Sequence, residues 1–203
     1  FVLHARQYSE TSLILEVFTR EHGRLGLLAK GARRRSSPWR GQLEPFQPLL
    51  LSWSGRGELP IVINAEPDGA IKLDPATLYC GFYINELIVR LLHRHDPHEA
   101  LFNHYHGALV ALASAALPEI VLRLFERDLL GEIGYGLVLD HDISDNSPLM
   151  PEAHYDYLLE RGPVRMPDTA LDRPVHGIRL SGASLLGLAA GRLDTEHALR
   201  EAK

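Results

Sequence analysis

The sequence predicts an α+β protein in which a small N-terminal β-barrel precedes an α-helical domain that carries a small β-hairpin insertion. Five short apolar runs with strand-like alternation fill residues 1–66, and no segment of helical length lies among them. The pattern changes to long helical segments after Asp74. We therefore place a barrel domain at residues 1–70 and an α-helical domain at residues 71–203, with an irregular hairpin subregion at about 140–180.

The strands predicted in the barrel are short and are separated by turn signals. The first two lie within residues 1–20, and the other three occupy residues 24–29, 45–53 and 58–66. Gly, Ser, Glu and Arg mark the turns between them. Closure, or near closure, is the simplest way for so short a meander to hide its edge strands.

The helical part begins at Asp74, which can cap a helix that opens with the following proline. Segment 76–94 is apolar around most of its circumference, so we expect Phe82, Leu87 and Leu91 in the core of the helical domain. Further helices are predicted at residues 98–116, 118–133, 181–190 and 194–203. A hairpin turning at residues 161–163 is predicted between strands 155–159 and 164–166.

The charge of the chain is unevenly distributed. The 203 residues carry a net charge of −5, but residues 1–57 hold nine Lys and Arg against four Asp and Glu. Residues 58–203 hold twelve against twenty-two. Opposed halves of this kind favour a basic domain that faces polyanions and an acidic domain that faces another partner.

Composition also restricts the class of protein. No run approaches the roughly 18 apolar residues of a membrane span, and no signal peptide is visible. Cys80 is the single cysteine, which excludes an intrachain disulfide and fits a cytoplasmic location. Because the sequence starts with Phe1 and stops within an amphipathic pattern at Lys203, we expect the natural protein to extend beyond both residues.

A cationic stretch at residues 30–41 joins the third and fourth strands and contains five cations and Trp39. Small barrels bind single-stranded nucleic acid with a cationic groove and aromatic faces on which bases stack. A solvated loop is the alternative for such a charge run. Trp39 has no apolar sequence neighbours and is expected to be exposed, whereas Trp53 fits core packing or stacking equally well. The predicted DNA-binding residues are Arg24, Lys30, Arg33, Arg34, Arg35, Trp39, Arg40 and Arg56.

We expect no metal, no cofactor and no enzymatic activity. Among the histidines between residues 93 and 106, His95 and His98 lie three residues apart but lack a convincing third ligand, and the others do not have the spacing of three or four residues that a helical metal site needs. Asp140, Asp142 and Asp145 resemble the start of a calcium loop, but the required glycine and final glutamate are missing. Phosphate-binding loops, nucleophile elbows and metalloprotease motifs are also absent from the sequence. Cys80 lies between large apolar residues and is expected to behave as a small hydrophobe.

Six motifs make the sequence similar to a known bacterial family. They are YSETSL at residues 8–13, FTREHGRL at 18–25, AKGAR at 29–33, LEPFQPL at 43–49, LYCGFYINEL at 78–87 and FERDLLGEIGYG at 125–136. In this order they resemble the RecO family of recombination mediators, from the start of the chain to about Gly136 and more weakly beyond it.

The resemblance implies an N-terminal OB-fold, an α-helical domain and a role in homologous-recombination repair. It also implies binding of single- and double-stranded DNA and annealing of complementary strands. With RecR, the family helps to load the RecA recombinase onto DNA coated by single-stranded DNA-binding protein, which would place this chain at the nucleoid. Some members carry a four-cysteine zinc site, which this chain lacks because no cysteine follows Cys80.

The acidic half needs a partner other than DNA, and the acidic tail of single-stranded DNA-binding protein is our hypothesis. Such a tail ends in an apolar aromatic residue, so its site needs an apolar groove and arginines. Helix 118–133 offers both, although an ordinary core stripe with Arg123 paired to a nearby glutamate is the alternative. The predicted tail-binding residues are Arg123, Arg127, Leu122, Phe125, Leu129 and Leu130.

The sequence leaves two alternative functions open. One is an OB-fold protein–protein adaptor that does not bind DNA directly and whose arginine loop docks an acidic partner. A nuclease would need carboxylates clustered near the basic groove, whereas Glu10, Glu16, Glu21 and Glu44 are scattered among different elements.

Overall fold

The computed structural model describes residues 1–114, 117–167, 169 and 175–203. The chain divides into two compact units, Phe1–Pro118 and Glu119–Lys203. In the first unit the described elements are β1 (Val2–Tyr8), β2 (Ser12–Thr19), β3 (Gly23–Ala29), β4 (Leu49–Ser54), β5 (Ile61–Pro67), α1 (Pro75–Leu91) and α2 (Glu99–Ala113). In the second they are α3 (Pro118–Glu132), β6 (His154–Leu158), β7 (Gly162–Arg165), β8 (Ile178–Ser181), α4 (Gly182–Ala189) and α5 (Glu196–Glu201).

The five N-terminal strands form one sheet in the order β1-β2-β3-β5-β4. Neighbouring strands are antiparallel except β3 and β5, which are parallel and pair at Leu28 and Ile61. This order fits an OB-like fold and confirms the α+β prediction. The sheet is not closed into a barrel within the described residues, so the prediction of a closed barrel was wrong. A single bridge between Val2 and Pro45 links edge strand β1 to the segment before β4.

The buried core of this sheet is formed by the apolar residues that alternate along its strands in the sequence. Leu15 and Leu27 are opposite each other in register and are fully buried, because alternate side chains of β2 and β3 point to the same face. The other buried members of this core are Val2, Val17, Leu25, Ala29, Ala32, Leu43, Val62 and Ala65.

Three connections meet at one end of the sheet, which we call the loop end. The turn at residues 9–11 joins β1 to β2, and residues 55–60 join β4 to β5. The connection from β3 to β4 also starts there, because Ala29 is opposite Leu13 near the start of β2. Since β5 begins beside Leu28, its preceding loop lies at the same end. The loop end therefore gathers six of the nine Lys and Arg residues found in residues 1–57.

Helix α1 corrects one prediction. It buries Ile84, Asn85 and Ile88, whereas Phe82 and Leu91 are 44% and 43% exposed, so their predicted burial was wrong. The physical reason is that α1 packs with only one face within the first unit, which also contains the sheet. A helix at the centre of a bundle would instead be buried on all sides. The predicted boundary at residue 70 remains a prediction.

Helix α2 ends at Ala113, and the predicted end at Ala116 lies outside the described residues. No helix in the described part of the chain is long and apolar enough to cross a membrane.

The second unit contains α3, α4, α5 and a small sheet in the order β7-β6-β8. The predicted hairpin is present as β6 and β7, with its turn at residues 159–161, slightly earlier than expected. Sequence reasoning missed β8, which pairs with β6 on its other side. Tyr155, Leu185 and Leu193 are fully buried in the core of this unit.

Candidate nucleic-acid interface

Residues 30–41, which we call the arginine loop, are built from consecutive turns. The amide of Arg34 donates to the carbonyl of Gly31 at 3.0 Å, and the amide of Ser37 donates to the carbonyl of Arg34 at 3.0 Å. Gly31 and Gly41 stand near the two ends of the loop with φ of 71° and 74°, a backbone region that glycine adopts without steric cost. The turns thus arrange the loop without a helix or strand.

Arg33 fastens the arginine loop to the turn between β1 and β2. Its amide donates to the carbonyl of Thr11 at 2.8 Å, and its Nη1 donates to the carbonyl of Glu10 at 3.3 Å. The amide of Gly31 adds a bond to Oγ of Ser12 at 3.3 Å. These contacts hold two connections of the loop end together.

A cleft of about 360 Å³ opens between the arginine loop and the edge of the core. Arg34, Arg35 and Arg40 are exposed at its lining, and within the described residues none of these three guanidinium groups pairs with a carboxylate. The full lining is Leu13, Ala32, Arg33, Arg34, Arg35, Trp39, Arg40, Gly41, Leu43 and Glu44. The arrangement presents several cations beside a short apolar floor.

The two tryptophans do not form an exposed aromatic face here. Trp39, which we expected to be exposed, is half-buried and packs against the core of the sheet. The core residues that the Trp39 ring packs against do not adjoin it in the sequence. Its sequence neighbours are not apolar, which is why the local sequence suggested exposure. Trp53 is also half-buried against this core, and its ring stands at 84° to the ring of His22 with 5.2 Å between the centroids.

Lys30 and Arg56 extend the cationic surface of the loop end. Lys30 directly follows β3 and is exposed, and Arg56 is exposed in the connection between β4 and β5. That connection is tied to the sheet at the same end, since the amide of Leu28 donates to the carbonyl of Pro60 at 2.8 Å. The predicted residues Lys30, Arg33, Arg34, Arg35, Arg40 and Arg56 therefore all lie at the loop end.

Arg24 is placed differently from the other predicted cations. It lies near the start of β3, and its Nη1 forms an ion pair with Glu16 at 2.7 Å. Its Nε and Nη2 both donate to the carbonyl of Leu92, at 3.1 and 2.9 Å. Arg94 binds the same glutamate, and this hydrogen bond raises the pKa of Arg94. We therefore leave Arg24 out of the interface, because its side chain is only 15% exposed and is engaged within the fold.

The residues predicted to bind a partner tail do not meet on one open surface. Phe125 and Leu129 are 2% and 1% exposed, so they cannot line a groove, while Leu122 and Leu130 are half-buried. Arg123 forms an ion pair with Glu126 at 2.8 Å, the arrangement that the alternative interpretation described.

Arg127 is also engaged within the second unit. Its Nη2 binds Asp128 at 2.6 Å, and its Nη1 donates to the carbonyls of Leu188 and Ala189 at 2.6 and 3.3 Å. These carbonyls belong to the last turn of α4, where a cation is favourable. The structure thus gives Arg127 a structural role.

The acidic segment after α3 is organised around Asp142. Its Oδ1 accepts from the amide and hydroxyl of Ser144 at 2.7 and 2.6 Å, and its Oδ2 accepts from the amide of Arg165 at 2.7 Å. Burial raises the pKa of Asp142, but these hydrogen bonds outweigh burial, and the pKa is lowered. In the described residues, His, Cys, Asp and Glu side chains form no group of three that could hold a metal ion.

Comparisons with known proteins assign this architecture to a family. A family model described as Recombination protein O N terminal matches residues 1–69, and one described as Recombination protein O C terminal matches residues 72–181. The chain belongs to the RecO family. RecO membership supports a role in DNA repair and recombination, and RecO is not a known enzyme family.

Individual RecO proteins are similar over most of the chain. The DNA repair protein RecO of Nitrosospira multiformis is 49% identical over 192 residues, which cover 94% of this chain and 78% of that protein. The RecO proteins of Nitrosococcus oceani and Methylococcus capsulatus are each 47% identical over 204 residues, covering all of this chain and 81% of each relative.

Proposed function

We propose that this chain is a DNA-binding recombination mediator that holds the phosphate backbone of DNA at its loop end. The observation that carries the proposal is the cleft where Arg34, Arg35 and Arg40 are exposed without carboxylate partners among the described residues. Lys30 and Arg56 extend the same surface. Guanidinium groups bind phosphate oxygens through paired hydrogen bonds, and such contacts do not depend on base sequence.

The proposed activity is binding and positioning rather than bond cleavage. Sequence-independent contacts would let the protein hold single- and double-stranded DNA and bring complementary strands together. With RecR, it would help to load RecA onto DNA coated by single-stranded DNA-binding protein, in the cytoplasm at the nucleoid. Strand annealing measured with and without the coating protein tests this role, and labelled DNA should stay intact when incubated with magnesium.

The salt dependence of DNA affinity tests the interface. We expect the double variant R34Q/R35Q to bind a single-stranded oligonucleotide more weakly, and its plot of log affinity against log salt to be shallower by about 1.4. R90Q is the matched control, because Arg90 is an exposed arginine on α1 paired with Glu86. Equal slopes in R34Q/R35Q and the parent would contradict the interface. A parent protein without salt-dependent DNA affinity would favour the adaptor alternative.

Binding of an acidic partner tail remains a separate proposal for α3. Four of the predicted residues retain partial exposure, namely Leu122, Arg123, Arg127 and Leu130. Arg123 is the one to test, because Arg127 is held by carbonyls of α4. We expect R123A to weaken binding of an isolated tail peptide while affinity for naked DNA is unchanged, as measured by fluorescence anisotropy in low salt. Equal tail affinity in R123A and the parent would move this site elsewhere.

A further inference from the structure

Glu44 is a carboxylate in the lining of the cleft beside the arginine loop, and the other described residues of that lining are cationic, apolar or glycine. The residue is exposed, and its side chain forms no ion pair and no hydrogen bond within the part of the chain that the structure describes. Arg34, Arg35 and Arg40 line the same cleft. The fold therefore leaves a free negative charge beside the groups that the proposed function assigns to phosphate.

The backbone on both sides of Glu44 is anchored. Leu43 is 5% exposed in the core of the sheet, and Pro45 forms the bridge to edge strand β1. The amide of Gln42 donates to the carbonyl of Trp39 at 3.1 Å, which ties this segment to the arginine loop. These contacts hold Glu44 at the cleft, so its position is a property of the fold.

We propose that Glu44 limits how tightly the cleft holds a phosphate backbone, an inference that rests on the proposed phosphate contacts of the arginine loop. A DNA phosphate and a carboxylate are both anions, and two like charges in a partly solvated cleft repel each other. Each phosphate that Arg34, Arg35 or Arg40 binds must therefore approach against the charge of Glu44. The guanidinium groups supply the attraction, and the carboxylate reduces the net affinity.

This repulsion does not depend on whether the DNA is single- or double-stranded. Both forms present a chain of phosphates, and contacts to phosphate carry no information from the bases. A protein that brings complementary strands together must bind the strands and then release the product. Glu44 therefore keeps binding reversible for the strands and for the annealed duplex alike.

Affinity measurements on E44Q test this role. Glutamine keeps the size of glutamate and removes its charge. We expect E44Q to bind a fluorescein-labelled single-stranded oligonucleotide about twofold to tenfold more tightly at low salt, the size of one charge–charge interaction at a partly exposed site. A blunt duplex of the same length should show a similar gain. The gain should shrink as salt rises, because repulsion between solvent-exposed charges is screened.

E44D and E21Q are the matched controls. E44D keeps the negative charge at the cleft and should bind like the parent. Glu21 is exposed in the turn between β2 and β3, at the other end of that hairpin from the arginine loop. Like Glu44, it has no ion pair among the described residues. E21Q thus removes the same charge away from the cleft and should change DNA affinity much less than E44Q.

Equal affinity in E44Q and the parent would overturn the role of Glu44, as would an equal gain in E21Q, which would reflect net charge alone. Weaker binding by E44Q would also overturn it, because the carboxylate would then support DNA binding. If R34Q/R35Q still gives a shallower salt plot, only this inference fails, and the proposed function stands. A parent protein without salt-dependent DNA affinity would remove both.

Discussion

The phenol of Tyr105 donates a 2.7 Å hydrogen bond to Oδ1 of Asn85, and both side chains are buried. Nδ2 of Asn85 in turn donates to the carbonyl of Leu3 at 2.9 Å. One polar chain thus joins α2, α1 and β1 inside the first unit. Because buried polar groups without partners are costly, this chain of bonds fixes which face of α1 packs on the sheet.

Removing either side chain of this hydrogen-bonded network should destabilise the first unit. We expect Y105F to lower the free energy of unfolding by about 1–3 kcal/mol, because Oδ1 of Asn85 loses its donor. N85A should cost more, since it removes both the acceptor of the phenol and the donor to the Leu3 carbonyl. Urea unfolding of both single variants and the double variant measures the coupling, and strictly additive losses would contradict it.

The same tyrosine predicts a loss of stability at alkaline pH. Burial raises the pKa of Tyr105 above its ordinary value of about 10, so this group stabilises the fold fully below pH 10. Above that pH its unfolded form ionises, and stability should fall by up to about 1.4 kcal/mol per pH unit. The fall should be smaller in Y105F, and identical pH profiles from pH 9 to 11 would argue against this contribution.

Arg33 should differ from its two neighbours in DNA binding. Its guanidinium donates to the Glu10 carbonyl, and glutamine can make the same bond without a charge. R33Q should therefore keep the affinity and salt slope of the parent, whereas R34Q alone should make the slope shallower by about 0.7 on single strands. If R33Q also becomes shallower by that amount, Arg33 contacts phosphate directly.

Arg24 should affect stability more than DNA binding. R24A leaves Glu16 with one of its two cations and frees the Leu92 carbonyl, so we expect a loss of about 3 kcal/mol in the free energy of unfolding. The salt slope of DNA affinity should not change where the variant is folded. A normal stability combined with a shallower slope would return Arg24 to the interface.

Asp142 should make the second unit sensitive to acid. Its pKa is lowered in the folded state, so its contribution is present above the unfolded value of about 3.9 and disappears as pH falls through the lower folded value. At pH 7 we expect D142N to be less stable by about 1–3 kcal/mol. The difference should shrink below pH 4, and a difference that is constant from pH 7 to pH 3 would contradict the role of this carboxylate.

Local pattern was sufficient for most of the fold. The alternation in residues 1–66 predicted all five strands of the sheet, and Pro75 and Pro118 marked the starts of α1 and α3. These features depend on residues that are neighbours in the sequence, so they can be recognised from a single sequence. The third strand of the small sheet, β8, was missed because its pairing with β6 is not local, whereas the equally short β7 forms a hairpin with β6.

Partners in space were not predictable in the same way. Arg24 and Arg34 look alike in sequence, but only the fold brings Glu16 and the Leu92 carbonyl to Arg24. Trp39 finds its apolar contacts in a core assembled from distant strands.

The clustering of cations at one end of a chain with a net charge of −5 has a kinetic consequence. A polyanion that diffuses toward the molecule is attracted at the loop end and is opposed by the surplus of carboxylates carried elsewhere along the chain. Encounters would then be oriented before any contact forms, and the association rate constant would fall with ionic strength while short-range contacts govern residence time. Under the proposed function, the charge pattern would orient the approach of DNA, and the contacts of the arginine loop would set its residence time.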